Sequence, residues 1–343
     1  MNSKEIFLKA IKLEKTPRVP VTILSGGVWV FNRKGMSLGD SFDLAPEKAA
    51  EIIMATNEEV RSDIVWAAAG CNNLAIRAIG GKANFHKVGA ASDVPDPLIA
   101  KAADIDKLSV DKLKDDPGMQ VMLATTKILA KNIGDRTMIG NSQWGPLTLA
   151  GLILGTEQLM RIMIKDKPAV HAMLEFTSEL CYRYWELFVN AGAEFVSMAE
   201  PTASGDMIAR KQFMEFAMPS ATNIRSRIAD KVSGTMIHIC GDITKFLDLI
   251  PEIGVNAVSL DYKVDLAKAR EVLDGKIAFT GQMDPVEIMQ NATPDGVAAA
   301  CRDCIERAGL TGGYLMMPGC DLPPGVPLEN LKAMVDTAHS HTM

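Results

Sequence analysis

Eight short apolar runs recur along the chain, each closing on Gly, Pro, Asp or another polar residue and each followed by a helical pattern. They cover residues 18–24, 62–68, 136–142, 193–199, 235–240, 257–261, 277–281 and 313–317. Between them the apolar spacing predicts helices over 46–61, 156–190, 207–231, 243–250, 266–273, 293–308 and 328–338. Strands that are apolar on both faces and separated by helices must be covered on both sides, which predicts an α/β fold with a parallel sheet closed into a (β/α)8 TIM barrel. An open doubly wound sheet is disfavoured, because no glycine-rich dinucleotide fingerprint follows the first run. Ahead of the barrel, Ile6, Phe7, Ala10, Ile11 and Leu13 share one face of an N-terminal helical extension. The interval after the second run is too long for one crossover, so residues 83–116, with Pro95 and Pro97, read as an insertion. Barrels of this kind reach 343 residues undivided, so one domain over 1–343 is expected.

Composition narrows the class of partner. A net charge of −6 gives no electrostatic reason to expect nucleic acid or an anionic membrane. No apolar stretch approaches the roughly 20 residues that span a bilayer, and the first 15 residues lack the apolar run of a signal peptide. The expected location is cytoplasmic. Thiols stay reduced there, so the six cysteines are buried residues, metal ligands or reactive groups before they are disulfides.

In a barrel the chemistry sits at the C-terminal ends of the strands. The fifth run ends Ile237-His238-Ile239-Cys240-Gly241, the sixth Ser259-Leu260-Asp261, and the eighth leads into Pro318-Gly319-Cys320-Asp321. His238 and Cys240 are two apart on a strand and so face the same side. Cys320 comes from another strand end, which barrel closure brings near. One His with two Cys is a zinc ligand set, and a catalytic zinc keeps its fourth position open. Asp261, on the strand beside His238, is the candidate to fill that position at rest. A His or Cys at a strand end, taken alone, is more often packed core. On pattern alone, a metal site and core packing both stand. Asp261 and Glu200, which closes the fourth run as Met198-Ala199-Glu200-Pro201, are the candidate catalytic carboxylates. Cys301 and Cys304 lie one turn apart within a helical pattern and are expected in the core. Cys181 reads as helix core, whereas Cys71 follows a strand end and could line the mouth.

The segment from His238 onward resembles the uroporphyrinogen decarboxylase superfamily. The matching words are His238-Ile239-Cys240-Gly241-Asp242, Ser259-Leu260-Asp261, Gly281-Gln282-Met283-Asp284-Pro285 and Pro318-Gly319-Cys320-Asp321-Leu322-Pro323-Pro324-Gly325. Upstream, Gly145-Pro146-Leu147-Thr148 and Glu200-Pro201-Thr202-Ala203-Ser204 also fit. Within the superfamily the chain looks like the corrinoid-dependent methyltransferases that include methylcobamide:coenzyme M methyltransferases. That resemblance implies Zn²⁺ on His238, Cys240 and Cys320, with Asp261 completing the resting site. It also implies methyl transfer from a methylated corrinoid (cobalamin) protein to a small-molecule acceptor, a thiol such as coenzyme M. The alternatives are transfer to tetrahydrofolate and a metal-free lyase of the decarboxylase kind. The decarboxylase branch relies on paired arginines near the N-terminus. The corresponding stretch here, 24–33, carries only Arg33. No Asp-x-His-x-x-Gly signature occurs, so the corrinoid is expected on a separate partner protein. Arg18, Arg33, Arg77 and Lys263 are candidates to hold anionic groups, with a solvated surface role as the default for each.

Overall fold

The computed structural model describes residues 1–23, 27–86 and 92–343. Within them the apolar runs form β1 (Ile64–Ala67), β4 (Met138–Trp144), β5 (Phe195–Ala199), β6 (Gly234–Ile239), β7 (Ala257–Leu260), β8 (Ala278–Met283) and β9 (Tyr314–Pro318). All pairings among these seven are parallel, in the order β1-β4-β5-β6-β7-β8-β9. Sequential order with no reversal is the wall of a singly wound barrel. Every residue of β1, β5, β6, β7, β8 and β9 is buried, as strands covered on both faces require.

The first of the eight expected strands is reduced to a single parallel bridge between Val21 and Met316. The Met316 N–H donates to Pro20 O at 2.8 Å, Thr22 N–H donates to Met316 O at 3.0 Å, and Asp63 N–H donates to Val21 O at 2.9 Å. This segment therefore lies between β9 and β1 and closes the wall. Pro17 and Pro20 have no N–H, so the ladder cannot extend towards the N-terminus. Leu24 lies outside the described residues.

The N-terminal helix, Ser3–Ile11, starts at a capping box between Asn2 and Glu5. Its Phe7, Ala10 and Ile11 pack with Ile64, Met138, Phe195, Met236 and Leu315. Phe7 meets Phe195 edge-on at 5.0 Å, and Trp66 meets the same ring at 5.9 Å. These partners sit at or near the starts of their strands. The helix thus seals the N-terminal end of the barrel and leaves the C-terminal ends open for a site.

Helix boundaries depart from expectation where proline intervenes. The span 156–190 is two helices, Thr156–Lys165 and Lys167–Asn190. Asp166 between them takes φ −149° and accepts from the Ala169 N–H, while Pro168 cannot continue the preceding hydrogen-bond ladder. The span 207–231 begins only at Arg210 and contains one π turn, Phe213–Ala217, just ahead of Pro219. The span 243–250 is a 3-10 helix, Thr244–Ile253. Leu266–Leu273 falls where the spacing puts it. Pro146–Leu154 is helical without an amphipathic signal, because nearly all its residues are buried.

The insertion carries the antiparallel ribbon of β2 (Asn84–Phe85) and β3 (Ser92–Asp93) and two 3-10 turns, Ala102–Lys107 and Val110–Asp115. Arg77 pins its far end through two hydrogen bonds to Asp116, of 2.8 and 2.7 Å. Among the described residues, no single helix is long and apolar enough to cross a membrane.

Candidate metal centre

His238 is the penultimate residue of β6, Cys240 is the first residue beyond that strand, and Cys320 lies two beyond β9. The strand ends converge as barrel closure demands. His238 Nε2 is 3.0 Å from Cys240 Sγ and 3.8 Å from Cys320 Sγ, and the two sulfurs are 3.5 Å apart. Among the described residues, these three form the one cluster of His, Cys, Asp or Glu side chains able to share an ion. Tetrahedral zinc, with bonds near 2.3 Å to sulfur and near 2.0 Å to nitrogen, would space such donors about 3.5–3.8 Å apart. The observed triangle fits that ion with small adjustments.

Two glycines make the approach possible. Gly241 turns the chain immediately after Cys240 at φ +86°, and a Cβ there would stand 2.4 Å from Ser204 Oγ. Gly319 packs on the backbone of Tyr262, where a Cβ would stand 2.6 Å from the amide nitrogen. Cys320 can therefore lean over the end of β7.

The electrostatics suit a cation. Burial pushes the His238 imidazole down, but the Cys320 contact and the charges of Asp321 and Asp261 outweigh it and leave the group raised. The Cys320 thiol is pushed up, first by the adjoining Cys240 sulfur and then by burial, against the pull of His238. Two sulfurs this close resist becoming thiolates together. A metal ion removes that conflict by supplying the missing positive charge.

Over the cluster opens a cavity of about 470 Å³, walled by Val28, Trp144, Leu322 and Pro323, with Asn72 and Ser142 as neutral polar groups. None of these six side chains titrates near neutral pH or ligates a metal by habit, so none stands out in the sequence as a site candidate.

The carboxylates are placed differently from expectation. Asp261 is 5% exposed; its Oδ2 accepts from the Gly241 N–H at 2.8 Å and its Oδ1 from the Lys263 N–H at 3.0 Å. It braces the turn behind Cys240 and stands outside the three-residue cluster. Glu200 is 1% exposed and caps the helix Pro146–Leu154: Oε1 accepts from Leu147 N–H at 3.0 Å, Oε2 from Thr148 N–H at 2.9 Å and from Thr148 Oγ1 at 2.8 Å. Burial pushes its carboxyl up to about 7 against those donors. Neither carboxylate is among the residues lining the cavity, and both hold the loops behind it.

The candidate anion holders are all paired within the chain: Arg18 with Asp63, Arg33 with Glu59, Arg77 with Asp116 and Lys263 with Asp206. Cys71 is buried away from the mouth, with its thiol pushed up by burial. Cys181, Cys301 and Cys304 are core, as their helical spacing predicts.

The model of the family described as Uroporphyrinogen decarboxylase (URO-D) matches residues 2–341. The chain belongs to that family. Among curated members, the methylcobamide:CoM methyltransferase MtbA of Methanosarcina acetivorans is 31% identical over 221 residues, which cover 64% of this chain and 63% of that relative. A methylated-thiol–coenzyme M methyltransferase of Methanosarcina mazei is 31% identical over 226 residues, covering 66% and 59%. The chain thus spans about three-fifths of the length of these two relatives. A uroporphyrinogen decarboxylase of Chlorobaculum tepidum is 24% identical with 98% and 97% covered. Among solved structures, a methyltransferase from Methanosarcina mazei superposes with a TM-score of 0.89 over 99% of both chains at 24% identity. A B12-independent methionine synthase from Shewanella reaches 0.58 at 13% identity, covering 93% and 96%. At these identities the superpositions establish the fold of this URO-D family member, which is the barrel that the strand pattern predicts.

Proposed function

We propose that this URO-D family protein is a zinc-dependent methyltransferase that moves a methyl group from a methylated corrinoid protein to a thiol acceptor. The observation that carries the proposal is the convergence of His238 Nε2 with the Cys240 and Cys320 sulfurs at the floor of the cavity. The methyltransferase relatives support the same direction, two of them named for coenzyme M.

In this reading His238, Cys240 and Cys320 would hold a zinc ion at the cavity floor, where it could activate an acceptor thiol. Zinc held there would lower the pKa of an acceptor thiol and fix its direction, which matters because the thiolate is the nucleophile. Asp261 keeps the Gly241 turn in place, so that Cys240 does not swing away. The apolar walls exclude water from the reacting sulfur. The acceptor thiol loses its proton to solvent, its sulfur gains the methyl group, and the partner's corrinoid goes from methyl-cobalt(III) to cobalt(I).

The test is a spectroscopic assay of purified protein with methylcobalamin and a panel of acceptors. Conversion to cobalt(I) is expected with a thiol, and it should fall to background in Cys240→Ala. Demethylation with tetrahydrofolate alone would move the acceptor from sulfur to nitrogen. The full-length similarity to a decarboxylase supports a second reading, a metal-free lyase. Release of CO₂ from uroporphyrinogen by metal-stripped protein, with no demethylation of methylcobalamin, would establish that reading instead.

A further inference from the structure

We infer that Ser259, oriented by Met317, is a positioning residue that fixes His238 as the Nδ1–H tautomer and so turns the lone pair of Nε2 towards the metal position. The inference rests on the metal reading above, and it concerns groups that reading does not use.

His238, Ser259 and Thr280 are lateral partners across β6, β7 and β8, which sets their side chains in one row. His238 is 3% exposed, Thr280 1%, and Ser259 and Met317 0%, so bulk water does not reach the row. His238 Nδ1 lies 2.8 Å from Ser259 Oγ. Beyond it, the Ser259 hydroxyl donates to Met317 Sδ at 3.9 Å, and the Thr280 hydroxyl donates to the same sulfur at 3.1 Å.

The direction of this chain follows from its far end. A thioether has no hydrogen to give, so it can only accept. The arrangement that satisfies both Ser259 contacts at once therefore sends each hydroxyl's hydrogen to Met317. Ser259 is left with lone pairs facing the imidazole, and Nδ1 must carry the hydrogen that fills the 2.8 Å contact. In a neutral imidazole the other nitrogen then bears the lone pair. That nitrogen is Nε2, 3.0 Å from Cys240 Sγ. In metal-free protein the Cys240 thiol can donate to it, and a metal ion takes the place of that hydrogen. If the serine hydroxyl pointed at the ring instead, Nε2 would carry the hydrogen and no donor pair would face the site.

Partners of this kind on a ligating histidine typically change metal affinity by about 10–100-fold when removed. Three variants separate positioning from packing. Ser259→Ala leaves Nδ1 without its acceptor. Ser259→Thr keeps the hydroxyl. Met317→Leu conserves volume but removes the acceptor that orients Ser259. Chelator competition should show zinc binding weakened by about 10–100-fold in Ser259→Ala, weakened in the same direction in Met317→Leu, and largely restored in Ser259→Thr. In parallel, nitrogen-15 NMR of the metal-free wild type should find the hydrogen of neutral His238 on Nδ1, with the Nε2 tautomer rising in Met317→Leu. An Nε2–H tautomer in the wild type, or unchanged zinc affinity in Ser259→Ala, overturns the inference. A wild type that takes up no zinc at all would remove the metal reading, and the NMR result would then decide the tautomer on its own.

Discussion

Cys320→Ala is expected to release the metal while leaving the barrel folded. Cys320 is the sole member of the cluster that does not come from the end of β6, and it closes the triangle from the loop after β9. Without it, His238 and Cys240 remain as two donors on one short stretch, too few to enclose a tetrahedral ion against competition from water. Structural zinc sites are worth about 10–16 kcal/mol to the chains that hold them, so losing one of three protein ligands removes several orders of magnitude of affinity. Elemental analysis after dialysis against a mild chelator should give about one zinc per chain for the wild type and almost none for the variant. Cys320 lies in a loop beyond β9, outside the packed clusters of the barrel and its helices, so far-UV dichroism should change little, and so should the thermal midpoint when wild type and variant are both compared metal-free. Stoichiometric zinc in Cys320→Ala would show that the ion, if present, sits elsewhere.

Asp63→Asn is expected to have the second large effect, on folding. Asp63 is fully buried immediately before β1, and it takes two hydrogen bonds from the Arg18 guanidinium and one of 2.8 Å from the Val21 N–H. It therefore clamps the one-bridge segment that stands in for the first strand. His339, from the C-terminal helix Leu328–His339, approaches the same carboxylate at 3.7 Å. Removing one partner of a buried ion pair leaves the other charge uncompensated, which costs about 3–5 kcal/mol. Urea unfolding should show a loss of that size, and a loss below about 1 kcal/mol would mean the seam is held by packing alone. The pH dependence has a definite sign. Burial works to raise the Asp63 carboxyl, but the Arg18 and His339 contacts prevail and hold it below the ordinary value. Its contribution is therefore present above the unfolded carboxylate pKa and disappears as pH falls through the lowered folded value. In Asp63→Asn that part of the acid limb should be missing.

The readable part of this molecule was the part governed by topology. Once the apolar runs imply a parallel barrel, strand ends must meet, and His238, Cys240 and Cys320 converge whatever lies between them. Strand ends also carry carboxylates, and there the sequence is ambiguous. A buried Asp or Glu that accepts backbone N–H groups looks the same in sequence as one that faces substrate. Asp261 and Glu200 both accept backbone N–H groups, at the Gly241 turn and at the start of the helix Pro146–Leu154. That helix is illegible in the sequence for a related reason, since a segment buried on nearly every side has no apolar stripe. The reduced first strand follows from Pro17 and Pro20, whose effect on a ladder depends on which neighbour the ladder meets. Ser259 stands in a legible strand end, but its relation to His238 comes from register, and only the pairing of β6 with β7 reveals that.

Zinc K-edge X-ray absorption of the purified protein, recorded with and without an acceptor thiol, tests the central claim most directly. The account predicts about two sulfur scatterers and one imidazole from the chain alone, in keeping with a three-residue catalytic site. On adding the thiol, the sulfur count should rise by one. A sphere that is already complete with protein ligands and does not change when thiol is added, or a protein that binds no zinc, would contradict it.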